Sequence, residues 1–436
     1  MSTTSLLAPS KQVNTTTNRP GIRDRIARRL LTRVLSRLRF GRMSLRDGNQ
    51  QFHAGVDSSE LRAELTVHRP RFYRRAVFGG SLVAAESYLD GDWSCDDLTA
   101  LLRIFGQNLE LSSQLDRGLP KIAKSLARLA HLARSNSRTG AKQNIHEHYD
   151  LSNEFFALFL DPRMMYSCAY FENDQATLEE ASTAKLEKVC RKLQLSSRDH
   201  VVEIGTGWGG FAEYAARNFG CRVTTTTISR KQHSHASQRI RSAGLSDRVG
   251  VLLKDYRDLE GRFDKLVSIE MIEAVGHKFL GTFFRQCGKL LRDDGLMLIQ
   301  GITMPEQRFR RYLRSVDFIQ KYVFPGGCLT SQMAMANAAA RTTDLRVTHA
   351  EDLSAHYAET LRHWRRRFFD RIDDVKQLGF SDRFIRLWEY YLCYCEAGFH
   401  ERLTGLAQIT FAKPQYRGDS IQNDNHFEGE RPCLRD

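Results

Sequence analysis

The sequence lacks any long uninterrupted apolar run, and this sets the first limit on its class. No stretch of roughly 18 or more apolar residues occurs, so no segment is predicted to cross a bilayer as a helix. The N-terminus also lacks an apolar signal-peptide core before Arg19, which predicts a cytoplasmic enzyme. The nine cysteines are scattered, and the closest pair, Cys393 and Cys395, does not have the C-x-x-C spacing of zinc or redox sites. We therefore expect reduced thiols and no metal.

Acidic residues are scarce relative to basic ones. The 65 lysines and arginines against 51 aspartates and glutamates give a formal net charge of +14. This excess favours an acidic partner, either anionic phospholipid or nucleic acid. No RNA- or DNA-binding motif accompanies the charge, so nucleic acid is disfavoured. With 436 residues, 41% of them hydrophobic, the chain is long enough for two domains or one elaborated domain.

Part of the basic excess lies in two segments with helical apolar spacing. In residues 22–38, the apolar positions are Ile22, Ile26, Leu30, Leu31, Val34, Leu35 and Leu38, and six arginines stand between them. A second basic amphipathic segment follows Pro120, with Ile122, Leu126, Leu129 and Leu132 on one stripe. Both helices could lie on anionic phospholipid. The alternative is that each packs its stripe against the protein, and for the second helix this alternative is the stronger.

The most informative motif is a glycine-rich turn at residues 200–210, HVVEIGTGWGG. An apolar strand ends at Glu203 and Ile204, and the glycines that follow let the backbone approach a small polar ligand at a helix N-terminus. A dinucleotide site would need an acidic residue about 20 positions later, but residues 222–229 contain none. The acids instead stand at Glu203 and Asp255, which favours S-adenosylmethionine over a nicotinamide cofactor.

Strand and helix patterns alternate after residue 200, which predicts an α/β fold with a doubly wound parallel sheet and its ligand at the carboxyl ends of the strands. The predicted strands are 200–204, 222–228, 249–253, 263–269 and 295–302, with antiparallel edge strands at 345–349 and 406–411. The predicted helices are 210–218, 230–242 and 278–292. Residues 40–110 predict a small α+β module, with strand-like runs at 61–68 and 71–80 and then a helix and turn over 81–93.

Composition suggests four regions. Residues 1–20 are rich in Ser, Thr and Asn and are predicted to be a disordered tail. Residues 21–135 are predicted to form an N-terminal lipid- or membrane-associated domain, and the polar segment 136–143 begins the α/β domain with the S-adenosylmethionine-type turn, which extends to 416. Residues 417–436 are predicted to be a flexible C-terminal tail.

Several segments together resemble the cyclopropane-fatty-acyl-phospholipid synthases and the related mycolic acid methyltransferases. They are residues 143–170 and the motifs VEIGTGWGGFA, TTTISRKQ, DYRDL, SIEMIEAVGH, FIQKYVFPGG and HYAETLRHW, all in the family's order and spread over residues 45–415. The resemblance implies a Rossmann-like class I methyltransferase with a seven-stranded sheet and a smaller N-terminal α+β domain. It implies methyl transfer to the cis double bond of phospholipid acyl chains at the inner face of the membrane. A homodimer is compatible with it.

The resemblance also assigns site residues. The residues implied to bind S-adenosylmethionine are Tyr166, Ser167, Glu203, Gly205, Gly207, Thr227, Ile228, Gln232, Asp255 and Tyr256. Family members use a bound bicarbonate as the base that takes a proton from the transferred methyl group. The residues implied to form that pocket are Cys168, Glu273, Gln300, Ile302 through its backbone, and Tyr357.

One pocket position departs from the family. Gln300 stands where these synthases usually have histidine, and an amide can donate a hydrogen bond but cannot carry a proton near neutral pH. This change puts the bicarbonate site and ring closure in question, so a methylene- or methyl-branched product is an alternative. Two further alternatives are a small-molecule N-methyltransferase and a catalytically silent lipid-binding protein. Cys168 and Tyr357 could also be simple core residues.

Overall fold

The computed structural model describes residues 21–111 and 151–418. The N-terminal part contains a four-stranded sheet in the order β2-β1-β3-β4. Its elements are α1 (Ile22–Leu35), β1 (Arg42–Asp47), β2 (Gln50–Gly55), β3 (Arg62–Val67), α2 (Arg71–Leu89), β4 (Trp93–Cys95) and α3 (Leu98–Gln107). Strand β1 pairs antiparallel with β2 and parallel with β3. The predicted smaller α+β part is confirmed.

The prediction of a strand-like run at 71–80 was wrong, because this segment is the first half of helix α2. Its buried residues Phe72, Tyr73, Ala76 and Gly80 follow the helical period of three to four rather than the strand period of two. Gly80 has φ 73° and ψ −170°, values outside the helical region, and it kinks α2 there. The glycine pair at the end of the run is therefore a kink within a helix.

The second sheet has seven strands in the order β10-β11-β9-β8-β5-β6-β7. Its strands are β5 (His200–Ile204), β6 (Arg222–Thr227), β7 (Val249–Leu253), β8 (Phe263–Ile269), β9 (Leu291–Thr303), β10 (Arg346–Asp352) and β11 (Gly405–Ala412). Strands β5 to β9 run parallel to one another, whereas β11 runs antiparallel to both β9 and β10. The predicted α/β class and all seven strands are confirmed.

One detail of the sheet differs from the prediction, because β11 is an inner strand and not an edge strand. Residues from Leu406 to Ala412 are all buried, as expected for a strand with neighbours on both sides and covered faces. Strand β10 is the edge, and most of its residues are exposed. Only the later of the two predicted edge strands was therefore misplaced.

The helices of the second part cover both faces of the seven-stranded sheet. They are α4 (Asn153–Ala157), α5 (Leu178–Lys192), α6 (Gly210–Phe219), α7 (Arg230–Ser242), α8 (Leu280–Leu290), α9 (Glu306–Tyr312), α10 (Phe318–Tyr322), α11 (Gln332–Thr342), α12 (Ser354–Asp370), α13 (Ile372–Gln377) and α14 (Asp382–His400). Helix α14 packs against both α12 and α3. One hydrophobic core therefore continues from the small sheet into the large part.

Helix α1 matches the first predicted amphipathic helix, but only part of its apolar stripe is buried. Leu31, Leu35 and Leu38 are buried, whereas Ile22, Ile26 and Leu30 are exposed. The second predicted helix after Pro120, the segment 136–143 and most of both predicted tails lie outside the described residues. Among the residues that the structure describes, no helix is long and apolar enough to cross a membrane.

Candidate active site

The glycine-rich turn connects β5 to α6 at the carboxyl edge of the large sheet. Gly205, Gly207 and Gly209 all have positive φ, at 105°, 53° and 86°, and the Gly205 and Thr206 amides donate to the carbonyl of Thr226. A side chain at Gly210 would meet Met165 Sδ at 2.6 Å. The turn is thus held close to its surroundings by glycines that no larger residue replaces without strain.

Glu203 lies directly before this turn and is buried. Its Oε2 has no hydrogen-bond partner among the described residues. Burial raises the pKa of Glu203 to about 8, against a hydrogen bond from Thr225 and the attraction of Lys185. A buried carboxylate oxygen without a partner suits a cationic ligand, because such a ligand would replace the hydration that the carboxylate lost.

The ends of the next two strands contribute further polar groups. After β6, Thr227 Oγ1 donates to Gln232 Oε1 at 2.8 Å, and Ser229 caps helix α7. After β7, the Asp255 carboxylate is paired with Arg257 at 2.6 Å, so it is neutralised within the protein. Tyr256 packs edge-on against Phe283. Thr227, Ile228, Gln232, Asp255 and Tyr256 all line the same cavity as the glycine turn.

Tyr166 and Ser167 face this cavity from the loop before α5. The Tyr166 hydroxyl lies 2.9 Å from that of Tyr391, and Ser167 Oγ accepts from Lys185 Nζ at 2.8 Å. Lys185 is fully buried, and burial lowers its pKa. Sequence reasoning missed this lysine, although its place between the buried positions Ser182 and Leu186 on the apolar stripe of α5 was a usable signal.

Glu270 is the second residue that sequence reasoning missed. It follows β8 directly, and Glu203 is likewise at the carboxyl end of β5. This position at the end of a parallel strand could have identified Glu270 as a candidate site residue. Its Oε1 accepts from the backbone N–H of Cys168 at 2.9 Å and from Gln300 Nε2 at 2.7 Å. Its Oε2 accepts from the Tyr357 hydroxyl at 2.6 Å. Burial raises the pKa of Glu270 although these donors and Lys185 oppose the shift.

The predicted pocket residues therefore separate into two groups. Glu273, Ile302 and Tyr357 line the cavity, whereas Cys168 and Gln300 do not and contact it through Glu270. The Cys168 thiol points to the carbonyl of Ala169, and Gln300 Oε1 accepts from Gln408. Glu270 is the reason for this separation, because its carboxylate stands between these two residues and the open space.

Glu273 is the other carboxylate at this end of the cavity. Its Oε1 accepts the backbone N–H of Ile302 at 2.5 Å, and its buried Oε2 has no partner in the described residues. Burial and the neighbouring Glu270 raise the pKa of Glu273 to about 8. The charge of Glu270 therefore disfavours ionisation of Glu273.

The glycine turn, Glu203, Glu270, Glu273 and Tyr357 border one large cavity of about 1290 Å³. From the glycine turn it extends past Glu270 and Tyr357 into the N-terminal part, between helices α1, α2 and α3. The walls there are mainly apolar and include Leu31, Leu35, Met43, Leu65, Phe72, Ala76, Trp93, Leu101, Leu102 and Phe105. A polar ligand site at one end and an apolar channel at the other thus belong to the same space.

The strand order with one reversed strand, together with the glycine turn after β5, defines a class I methyltransferase fold. The family model for mycolic acid cyclopropane synthetase matches residues 136–409, and the chain belongs to this family of S-adenosylmethionine-dependent enzymes. It is 38% identical over 401 residues to the tuberculostearic acid methyltransferase UfaA1 of Mycobacterium tuberculosis, covering 89% of this chain and 91% of the relative.

Two further comparisons agree. The cyclopropane-fatty-acyl-phospholipid synthase of Escherichia coli K12 is 37% identical over 354 residues, which cover 80% of this chain and 88% of that protein. The crystal structure of the mycolic acid cyclopropane synthase CmaA1, complexed with SAH and CTAB, superposes with a TM-score of 0.58 at 31% identity. The superposition covers 62% of this chain and 98% of the CmaA1 chain. The predicted family is confirmed.

Proposed function

We propose that this protein transfers a methyl group from S-adenosylmethionine to the cis double bond of an unsaturated acyl chain in a membrane phospholipid. The observation that carries the proposal is the single cavity that joins the glycine turn to the apolar channel between α1, α2 and α3. An acyl chain is long, thin and apolar, and such a channel removes it from water while its double bond reaches the polar end.

The polar end fits the cationic methyl donor. Glu203 Oε2 is buried and unpartnered within the described chain, and the glycine turn leaves room for close backbone contact. Thr227, Ile228 and Gln232 would hold the ligand from the end of β6, Tyr256 would pack beside it, and Tyr166 and Ser167 would close the site. When bound, S-adenosylmethionine supplies an electrophilic methyl group. Lys185 would keep Ser167 in place through its hydrogen bond.

Helix α1 supports an encounter with the membrane surface. Ile22, Ile26 and Leu30 are 69%, 51% and 41% exposed. Arg23, Arg25 and Arg29 are exposed beside them, and none of the three forms an ion pair within the described ranges. Apolar side chains flanked by free cations are the composition of a helix that lies in an anionic bilayer interface. Because the buried side of α1 lines the channel, we propose that the acyl chain enters near this helix from the inner face of the membrane.

Replacing Ile22, Ile26 and Leu30 together with serine is expected to weaken binding to anionic vesicles roughly 100-fold. Each half-exposed aliphatic side chain should contribute about 1 kcal/mol on insertion, and the three sum to about 3 kcal/mol. Vesicle co-sedimentation measures the effect. The matched control is Leu378→Ser, which removes a 43% exposed leucine at the end of α13 and should leave vesicle binding unchanged. Equal loss in both variants would refute a role for α1.

The product has two candidates. Ring closure corresponds to the cyclopropane synthases of the family. A methylene-branched chain, or a methyl-branched chain after a separate reduction, is the second candidate. It is favoured by Gln300 in place of the usual histidine and by the similarity to a tuberculostearic acid methyltransferase.

The test uses purified protein, S-adenosylmethionine and vesicles of anionic phospholipid with cis-monounsaturated chains. We expect the saponified fatty acids to gain the mass of one CH2 group, and no gain with fully saturated phospholipid. Mild hydrogenation then separates the candidates, because a methylene double bond is reduced and a ring resists. Methyl transfer to a free amine without any change in the lipid would refute the proposal in favour of a small-molecule N-methyltransferase.

A further inference from the structure

Glu270 has a backbone conformation that side chains rarely adopt. Its φ is 49°, in the left-handed region, and it stands at the carboxyl end of β8 with its side chain on the cavity. A residue other than glycine, asparagine or aspartate in this region costs roughly 1 kcal/mol or more, and such strain tends to occur at functional sites. The carboxylate is therefore maintained at some cost in stability.

The contacts of Glu270 explain what its carboxylate replaces. Bicarbonate, as the resemblance implies it, would be held by donors that include Cys168, Gln300 and Tyr357. In this chain all three already donate to Glu270, at 2.9, 2.7 and 2.6 Å. The remaining pocket donor, the Ile302 N–H, is bonded to Glu273. The residues present therefore do not fit a bicarbonate ion, because a carboxylate of the protein occupies its hydrogen-bond donors.

We propose that Glu270 takes the place of bicarbonate and is itself the base that removes a proton from the transferred methyl group. The inference rests on the proposed function, since that activity produces the carbocation to which the methyl group is attached.

The step balances without any further reactant. After methyl transfer to one carbon of the double bond, the positive charge lies on the chain. A C–H bond of the new methyl group breaks, and its proton forms an O–H bond with Glu270. The electron pair of that C–H bond closes the cyclopropane ring. If a hydride has first shifted between the two former double-bond carbons, the same pair forms the methylene double bond. Glu270 then returns its proton to solvent before the next turnover.

The geometry leaves Glu270 capable of this role. A carboxylate offers about four acceptor positions, and the three donors leave one on Oε2. The carboxylate cannot turn away from the cavity, because donors from a loop, a strand and a helix fix both oxygens. Burial raises the pKa of Glu270, which makes it a better proton acceptor than an exposed carboxylate. Lys185, nearby, limits the shift and favours the ionised form needed at the start.

The proposal is tested with three proteins in buffer freed of carbon dioxide, with and without added bicarbonate. Wild-type methyl transfer to phospholipid is expected to change less than twofold on addition. Glu270→Gln should lose about 100-fold or more, the range for loss of a general base, and should not respond to bicarbonate. Glu270→Gly should lose as much but recover at least tenfold with bicarbonate. Glycine suits φ 49°, so this variant should fold and vacate the anion site.

Binding gives a second readout that does not depend on lipid chemistry. Carbon-13 bicarbonate should show no line broadening with wild-type protein and clear broadening with Glu270→Gly. The control for glycine at a left-handed position is Gln194→Gly, since Gln194 has φ 51° and does not line the cavity. It should behave like wild type in both assays.

Three results would overturn the inference. The first is that the wild-type protein requires bicarbonate for activity, and the second is that Glu270→Gln is as active as the wild-type protein. The third is that Glu270→Gly loses activity, is not rescued by bicarbonate and does not bind it. A wild-type protein that modifies no acyl chain, while only Glu270→Gly binds bicarbonate, would refute the proposed function. In that case the finding that Glu270 occupies the anion site would stand.

Discussion

Replacing Gly205 with alanine is expected to weaken S-adenosylmethionine binding by about 100-fold or more. At φ 105° an alanine is strained by roughly 1–3 kcal/mol. Its Cβ would also lie 3.1 Å from the Met271 side chain, so the turn must shift. A shift displaces the adjacent backbone that should contact the ligand, and about 3 kcal/mol corresponds to two orders of magnitude in affinity. Isothermal titration calorimetry measures this loss directly.

A second glycine variant separates the effect of backbone strain on stability from the loss of S-adenosylmethionine binding. Gly379 has φ 88°, no atom lies within 4 Å of the position that a Cβ would take there, and the residue is away from the cavity. Gly379→Ala should therefore lower the melting temperature in a similar way and leave S-adenosylmethionine affinity within twofold of wild type. If Gly205→Ala binds the ligand as tightly as Gly379→Ala does, the glycine turn is not the binding site.

The affinity for S-adenosylmethionine is expected to rise with pH up to about pH 8 and then level off. Burial raises the pKa of Glu203 to about 8, so below that pH the free protein holds a proton there. A cationic ligand beside Glu203 favours the ionised carboxylate, and binding must then release the proton. Each pH unit below the pKa should weaken binding by up to tenfold, and because half of the Glu203 side chains are already ionised at pH 8, the change between pH 6 and pH 8 is roughly 50-fold.

Calorimetry in two buffers of different ionisation enthalpy measures the proton release. We expect nearly one proton released per ligand at pH 6.5 and almost none at pH 9. The matched variant is Glu203→Gln, which keeps the shape but cannot ionise, so its weaker affinity should lose most of this pH dependence. A wild-type affinity that is flat or falls between pH 6 and pH 8 would show that Glu203 does not face the cationic part of the ligand.

Much of the large sheet could be predicted from the sequence because its signals are local. Apolar runs such as 200–204 and 263–269 end at glycines or acids, and the alternation with helices fixes a parallel arrangement. The segment 71–80 was wrongly predicted to be strand-like, because its arginines and aromatic residues are compatible with a strand over a few residues. Only the burial of Phe72, Tyr73 and Ala76 on one side shows the helical period.

The active site was predicted less completely because its contacts are distant in sequence. Glu270 accepts from a donor 102 residues away at Cys168 and from another 87 residues away at Tyr357. Neither distance leaves a local pattern, and Gln300 therefore looked like a weakened catalytic position when in fact it donates to a carboxylate. The channel depends on how α1, α2 and α3 meet the large part, which no motif encodes.

Transfer of a deuterated methyl group tests both the lipid methylation and the removal of a proton from the methyl group. The protein is incubated with S-adenosylmethionine that carries CD3 and with vesicles of cis-monounsaturated phospholipid, and the acyl chains are weighed by mass spectrometry. We expect a labelled acyl chain that keeps two of the three deuterium atoms, because one is lost to the base in forming a ring or a methylene group. An acyl chain that keeps all three would contradict the proton-removal step, and no label in any acyl chain would contradict the lipid methyltransferase assignment itself.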